Sequence, residues 1–246
     1  MANIPIIQSL WIGERLSVME RLCISSFLYY GHEFHLYVYD NVKDVPSKTI
    51  LKDASKIIPA DKIFKYKDHN SYAGFSNLFR YKMLLEKGGY WVDTDIICLK
   101  PFSSKPKNLF SSEKMRLWQG RVKTNCGVIK VNKGADIMQY CYEKANSIDP
   151  QTLTWGDTGP NLMAQAVKSF KLQNYVVSPI TFCPVNFWQW KRLISESLIV
   201  NWLENKKINN SQAIHLWNEM WRRNGVNKDG VFPSSTIYEQ LKRKYL

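Results

Sequence analysis

No apolar run in this 246-residue chain approaches the roughly 18 residues that a bilayer-spanning helix requires, so none is expected. Cysteine is scarce and without pattern. Cys23, Cys98, Cys126, Cys141 and Cys183 are odd in number and never spaced as CxxC, which argues against a disulfide scaffold or a zinc site and points to a reducing cytoplasm. The opening "MANIPIIQSLWIGERL" lacks a basic n-region, a clean apolar core and a small-residue cleavage site, so no signal peptide is expected. Internal repeats, low-complexity tracts and linkers are missing too, which leaves one domain over residues 1–246. Acidic residues are outnumbered by basic ones, 21 against 34, for a net charge of +13. No RNP, zinc-finger or helix-turn-helix pattern accompanies that charge, so nucleic acid is not an expected partner. An anionic membrane or glycan suits it, as does a plainly solvated basic surface.

What is present reads as α/β. "PIIQSLWIG" has the look of a first strand ending at Gly13. Ser17 and Glu20 form a capping box opening a helix to about Tyr30, with Gly31 as its stop. "FHLYVYDN" reads as a second strand, and residues 42–74 resist assignment. A helix from about Ser76 to Lys87 ends at Gly88-Gly89 and leads into an apolar strand. "CGVIKV" (126–131) reads as a strand, 135–145 as a helix, and another helix opens near Gly159-Pro160. "NYVVSPITF" (174–182) reads as a late strand, and the tryptophan-rich last third carries no assigned element. This alternation predicts a sheet flanked by helices, with ligands at the strand ends.

The stretch "GGYWVDTDIICLKPF" (88–102) sets Asp93 and Asp95 inside an apolar run. In extended backbone, residues i and i+2 point the same way, so both carboxylates would face one side. Two anions so close raise one pKa unless a cation shares the site, and Mg²⁺ or Mn²⁺ is the hard ion such a pair suits. Taken alone, the tripeptide equally describes a hydrated surface turn.

Its surroundings carry more. "FSNLFRYKMLLEKGGYWVDTDIICLKPF" (75–102) resembles the DXD-containing glycosyltransferases of family 32 and the related α-1,4-galactosyltransferases, as do "WGDTGPNLMAQAV" (155–167) and "AIHLWNEMW" (213–221), in the same order. "IQSLWIG" is similar to the family's first strand. The resemblance implies a GT-A fold, a single Rossmann-like mixed sheet flanked by helices. Residues 1–100 would form a nucleotide-binding half ending in the DXD turn, and 101–246 an acceptor and catalytic half carrying the C-terminal metal-ligand segment.

It also implies Mn²⁺ (or Mg²⁺) held by Asp93, Asp95 and His215, and a UDP-sugar donor contacted by Trp11, Ile12, Tyr39, Ser76, Asn77, Arg80, Trp91 and Asp93. Arg80, Asp93 and Asp157 would serve catalysis, Asp157 by steadying positive charge at the anomeric carbon. Asn77 stands where the family has aspartate. Each has a plainer alternative: Arg80 in a surface ion pair with Glu86, His215 merely packed, Trp11, Tyr39 and Trp91 in the core, Asp157 as a helix cap. The activity implied is hexose transfer, with retention, to a hydroxyl of a surface polysaccharide or lipid-linked oligosaccharide at the inner face of the membrane. A sugar-nucleotide-binding protein without catalysis and a protein-glycosylating effector are the alternatives.

Overall fold

The computed structural model describes residues 4–67, 70–116 and 121–246. A six-stranded mixed sheet runs in the order β3-β2-β1-β4-β7-β6, where β1 is Ile7–Trp11, β2 Phe34–Val38, β3 Ile50–Asp53, β4 Gly89–Val92, β6 Leu109–Lys114 and β7 Val122–Val131. The first four of these are parallel, and β7 is antiparallel to both its neighbours. Alternation along the strands divides the core in two. Ile7, Leu36, Tyr90, Val92 and Val128 face one cluster, while Leu10, Tyr37, Trp91, Ile129 and Val131 face the other.

The first face is covered by helix α1 (Val18–Tyr29) and the C-terminal helix α7 (Ile237–Tyr245). The second is covered by α2 (Ala73–Lys87), α3 (Asp136–Asn146) and α4 (Leu162–Ser169). A two-stranded ladder, β5 (Ile96–Cys98) with β8 (Ala213–His215), joins the middle of the chain to its end. Helices α5 (Leu198–Ile208) and α6 (Asn218–Arg223) flank that ladder in sequence.

The capping box forms as expected: the Met19 N–H donates to Ser17 Oγ at 3.2 Å and the Ser17 N–H to Glu20 Oε2 at 2.8 Å. Gly88 ends α2 at φ +66°, and a Cβ there would lie 2.3 Å from the Lys133 nitrogen, so only glycine fits the turn into β4. Two expectations fail. The "NYVVSPITF" strand is instead a pair of 3₁₀ turns, Gln173–Tyr175 and Pro179–Thr181, with a single bridge from Val176 to Phe110. Pro179 has no N–H to offer a ladder, which stops the pairing. The aspartate pair lies beyond the end of β4 rather than in extended backbone, as described below.

Tryptophans of the last third anchor the first core. Trp221 is fully buried against Trp190, Phe232 and Tyr238 and donates its indole N–H to the Leu216 carbonyl at 2.8 Å. Trp221→Ala is expected to cost about 3–5 kcal/mol, the usual range for emptying a large aromatic site. Urea denaturation checks this, and a loss below about 1 kcal/mol would contradict it.

Candidate functional site

The site begins where β4 stops. Asp93 donates its N–H to the Gly127 carbonyl at 2.9 Å, and the Ile96 N–H returns to the Asp93 carbonyl at 3.0 Å, closing Asp93-Thr94-Asp95 into a tight turn between the two sheets. The expectation of an extended pair therefore gives way to a turn, because the chain must leave the large sheet at Val92 and enter the small one at Ile96. The carboxylates still converge, since β5 pairs with β8 so that Ile96 lies opposite His215. The ligating atoms of Asp93, Asp95 and His215 all fall within 4.8 Å of one another. Two carboxylate oxygens and an imidazole nitrogen are donors that suit Mn²⁺ or Mg²⁺, and the set fits such an ion.

Each member is held by its own contacts. Asp95 Oδ2 lies 3.2 Å from His215 Nε2 and accepts the Asn218 N–H at 2.8 Å. Trp217 sits in the left-handed region at φ +61°, which turns the backbone so that the Asn218 N–H can reach that carboxylate. The indole of Trp217 stacks on the His215 ring at 3.8 Å. Asp93 Oδ1 accepts from Arg80 Nη2 and Trp91 Nε1, both at 2.9 Å.

The two carboxylates titrate in opposite directions. Burial pushes Asp93 up; Arg80 opposes this, and neighbouring Asp95 adds to it. Burial would raise Asp95 as well, but the positive His215 and its hydrogen bond, with help from the Asn218 N–H and Lys228, hold it below the usual carboxylate range. His215 is the counterpart: burial would lower it, yet Asp95 and the Cys183 thiol, 3.8 Å from Nδ1, raise it well above the usual histidine range.

The signs set a pH dependence. Stability from the raised His215 is full below the ordinary histidine value and is lost as pH rises through its folded value. Stability from the depressed Asp95 is present above the ordinary carboxylate value and is lost as pH falls through its folded value. The raised Asp93 works the same way as His215, its contribution falling as pH rises above the ordinary carboxylate value, so without added metal thermal stability should decline from weakly acidic toward alkaline pH. A divalent ion must displace the His215 proton, so Mn²⁺ affinity measured calorimetrically should rise with pH, by up to about tenfold per unit, until that proton is gone. A pH-independent affinity would remove His215 from the ligand set.

A cavity of about 640 Å³ opens beside this cluster, at the C-terminal ends of β1 and β4. Trp11, Ile12, Ser76, Asn77, Arg80 and Trp91 line it together with the two aspartates and His215. Trp91 is nearly inaccessible and backs the Arg80 guanidinium, whose carbon lies 4.9 Å from its ring. Arg80 does not pair with Glu86, which takes Lys82 instead. Its guanidinium is largely spent on the protein: it donates to the Cys126 carbonyl at 2.7 Å, the Ser76 carbonyl at 3.3 Å and Ser76 Oγ at 3.2 Å, besides Asp93. With most of its five N–H groups so used, it braces Asp93 rather than offering a free fork to a diphosphate. Asn77 is buried, its amide 3.4 Å from Thr158 Oγ1.

Two of the expected residues are not brought here. Tyr39 points into the second core, with its hydroxyl on the Ile58 carbonyl at 2.8 Å and its ring beside Phe75. Asp157 is exposed and closes its own turn, accepting the Thr154 N–H at 3.1 Å and hydroxyl at 2.5 Å; the N-cap of α4 is Asn161. The tight turn at 154–157 aims the carboxylate back at its own backbone.

Other lining residues had no signal in the sequence. Glu113 enters from β6, and burial raises its carboxyl above the usual range. Asn125 donates to it at 3.3 Å and accepts the Gly127 N–H at 3.1 Å. Lys228 lines the cavity while paired with Glu20. The β6–β7 pairing and the return of the last segment place them, and neither has a local pattern.

Residues 19–115 match the glycosyltransferase sugar-binding region containing the DXD motif, and residues 131–245 match the alpha 1,4-glycosyltransferase conserved region. A human alpha-1,4-N-acetylglucosaminyltransferase is 24% identical over 226 residues, covering 85% of this chain. The chain spans 61% of that relative's length. Among solved structures, galactosyltransferase LgtC in complex with donor and acceptor sugar analogs aligns with a TM-score of 0.50 at 9% identity, over 97% of this chain and 95% of that one.

Proposed function

We propose that this chain, which matches two glycosyltransferase family models over separate segments and has a GT-A fold, transfers a hexose from a UDP-sugar to a hydroxyl of a glycan acceptor. The observation that carries this reading is the convergence of Asp93, Asp95 and His215 at the floor of the cavity. Asp95 and His215 would hold Mn²⁺ or Mg²⁺ together with Asp93, whose position Arg80 and Trp91 fix. When bound, the ion neutralises the diphosphate and stabilises the charge that gathers on the leaving group.

The protein's own part is to bind and orient. Trp11 and Ile12, at the end of β1, flank the uracil, and Ser76 and Asn77 hydrogen-bond sugar or ribose hydroxyls. Asn77 does so without charge, where a carboxylate would bind hydroxyls more strongly. In the transfer, the acceptor oxygen forms the new bond to C1 on the same face from which the bond to the β-phosphate oxygen breaks; UDP leaves with the bonding pair and its freed oxygen takes up the acceptor proton. Retention of configuration, giving an α-linkage, is part of the proposal. The first hundred residues supply most of the nucleotide contacts and the remainder the acceptor side. The acceptor is a surface polysaccharide or a lipid-linked oligosaccharide, and the enzyme works in the cytoplasm. All five cysteines are free and buried, which suits a reducing compartment. Among the described residues, no helix is long and apolar enough to cross a membrane.

A screen of UDP-sugars for Mn²⁺-dependent hydrolysis and transfer tests the reading. Release of UDP with one or a few donors, abolished by chelation, is the expected result. Binding of UDP and Mn²⁺ with no turnover of any donor would leave a sugar-nucleotide-binding protein, and label appearing on protein would redirect the acceptor class.

A further inference from the structure

Away from the cavity, helix α5 (Leu198–Ile208) is turned inside out. The side chains it buries are Asn201, Glu204 and Ile208. Those it shows to solvent include Leu198, 77% exposed, Ile199, 74%, Trp202, 63%, and Leu203, 44%. A surface helix ordinarily places its apolar stripe against the core. Here the inward polar groups lock the reverse orientation. Asn201 donates to the Ser235 carbonyl at 3.1 Å, and the fully buried Glu204 accepts from Arg192 Nη1 at 2.6 Å and Lys207 Nζ at 3.0 Å. Rotating α5 to hide its leucines would break a buried charge network. Four large apolar side chains in one and a half turns are thus held outward by the contacts of the inner face, an exposed apolar patch of the kind that marks an interaction surface.

Charge around the patch indicates what covers it. Lys206 follows Trp202 by one turn on the same face, its ammonium 5.4 Å from the indole. Lys191, on the 3₁₀ helix Phe187–Ile194 that packs beside α5, is also exposed. Glu196 is the one exposed acid between 187 and 210. Leucine, isoleucine and tryptophan bordered by lysine are the residues of a bilayer interface, where the indole sits at headgroup level and lysine meets lipid phosphate. The centres of protein–protein interfaces are instead poor in lysine. Association with a second copy would bring together two chains of charge +13, which their mutual repulsion opposes.

We propose that α5 docks the protein on an anionic membrane: Leu198, Ile199, Trp202 and Leu203 enter the headgroup region while Lys191 and Lys206 contact acidic lipid. The face is distinct from the cavity, and the inference does not rest on the transferase reading.

The test is co-sedimentation of the full chain with phosphatidylcholine vesicles, with and without phosphatidylserine, at low and high salt. The wild type should pellet with the phosphatidylserine vesicles, less so in high salt or without the anionic lipid. The double variant Leu198→Asp/Trp202→Asp, at two exposed positions that make no core contact, should partition at least about tenfold more weakly. Leu51→Asp, an exposed change on the edge strand β3, should behave as wild type. UDP-sugar turnover with a soluble acceptor should be equal in wild type and double variant, and the vesicle readout needs no turnover at all. A wild type that stays in the supernatant overturns the assignment, as does a double variant that pellets normally. So does a double variant that loses turnover in solution, or one that splits a wild-type dimer while vesicle binding is unchanged.

Discussion

Asp95→Asn will lower Mn²⁺-dependent UDP-sugar turnover about a thousandfold while leaving the fold in place. The asparagine oxygen can still accept the Asn218 N–H that now reaches Asp95 at 2.8 Å, so the turn at 93–96 and the β5–β8 ladder keep their local support. What disappears is the negative charge that faces His215 and that a divalent ion would use. Stabilisation of a leaving diphosphate by a metal is worth several kcal/mol, and each 1.36 kcal/mol is a factor of ten in rate, so about 4 kcal/mol corresponds to about 10³. Without its anion, the pKa of His215 should fall back, and calorimetry should show weaker Mn²⁺ binding. Turnover within threefold of wild type in a variant with unchanged circular dichroism would remove the metal from the mechanism.

Arg80→Met is the second large effect, and it should appear in stability as well as in rate. Arg80 is buried beside Asp93 and ties together the Cys126 carbonyl, Ser76 and the DXD turn. Removing one partner of a buried ion pair typically costs about 3–5 kcal/mol, and the lower end applies because Asp93 keeps some contact with solvent. Burial and Asp95 already raise the Asp93 carboxyl. Without Arg80 it rises further, so the proton must be displaced at a higher pH before a metal can bind. Turnover should fall about a hundredfold at neutral pH, the usual range for a residue that orients a metal ligand, and recover partly as pH rises. Arg80→Lys restores the charge but cannot reach three acceptors at once, so it should fall between wild type and Arg80→Met in both melting temperature and Mn²⁺ affinity. A Met variant that melts and turns over like wild type would show that the brace on Asp93 is idle.

Local pattern was enough where the forces are local. Ser17 and Glu20, three residues apart, announce the start of α1, and the structure closes both hydrogen bonds of the box. Gly88-Gly89 marks the end of α2, because no other residue accepts that backbone at that distance from Lys133. Helix α2 starts at Ala73, three residues ahead of the start the sequence suggests, because Tyr72 gives it no side-chain cap to mark the place. Asp157 looked like a carboxylate awaiting a substrate, and Thr154 claims it three residues away. Tyr39 looked like a strand-end aromatic beside a nucleotide, and the Ile58 carbonyl holds it in the core instead. In both cases the competing partner is a nearby group of the chain whose position depends on a turn that composition does not specify.

By itself the sequence determined the chemical inventory: alternating strands, two acids after a glycine pair, an arginine on the preceding helix, a late histidine, and an excess of positive charge. Those follow from residue identity and from periodicities of two and three to four residues, which any short window displays. The tertiary structure alone decided that His215 lies within hydrogen-bonding distance of Asp95, that Arg80 spends its donors on its own chain, and that α5 shows its leucines and tryptophan to solvent. Each depends on segments far apart in sequence lying side by side, β5 against β8, α2 against β7, and α5 against Arg192 and Ser235. Such pairings are chosen by the balance of burial and hydrogen bonding over the whole molecule, and no local window contains that balance.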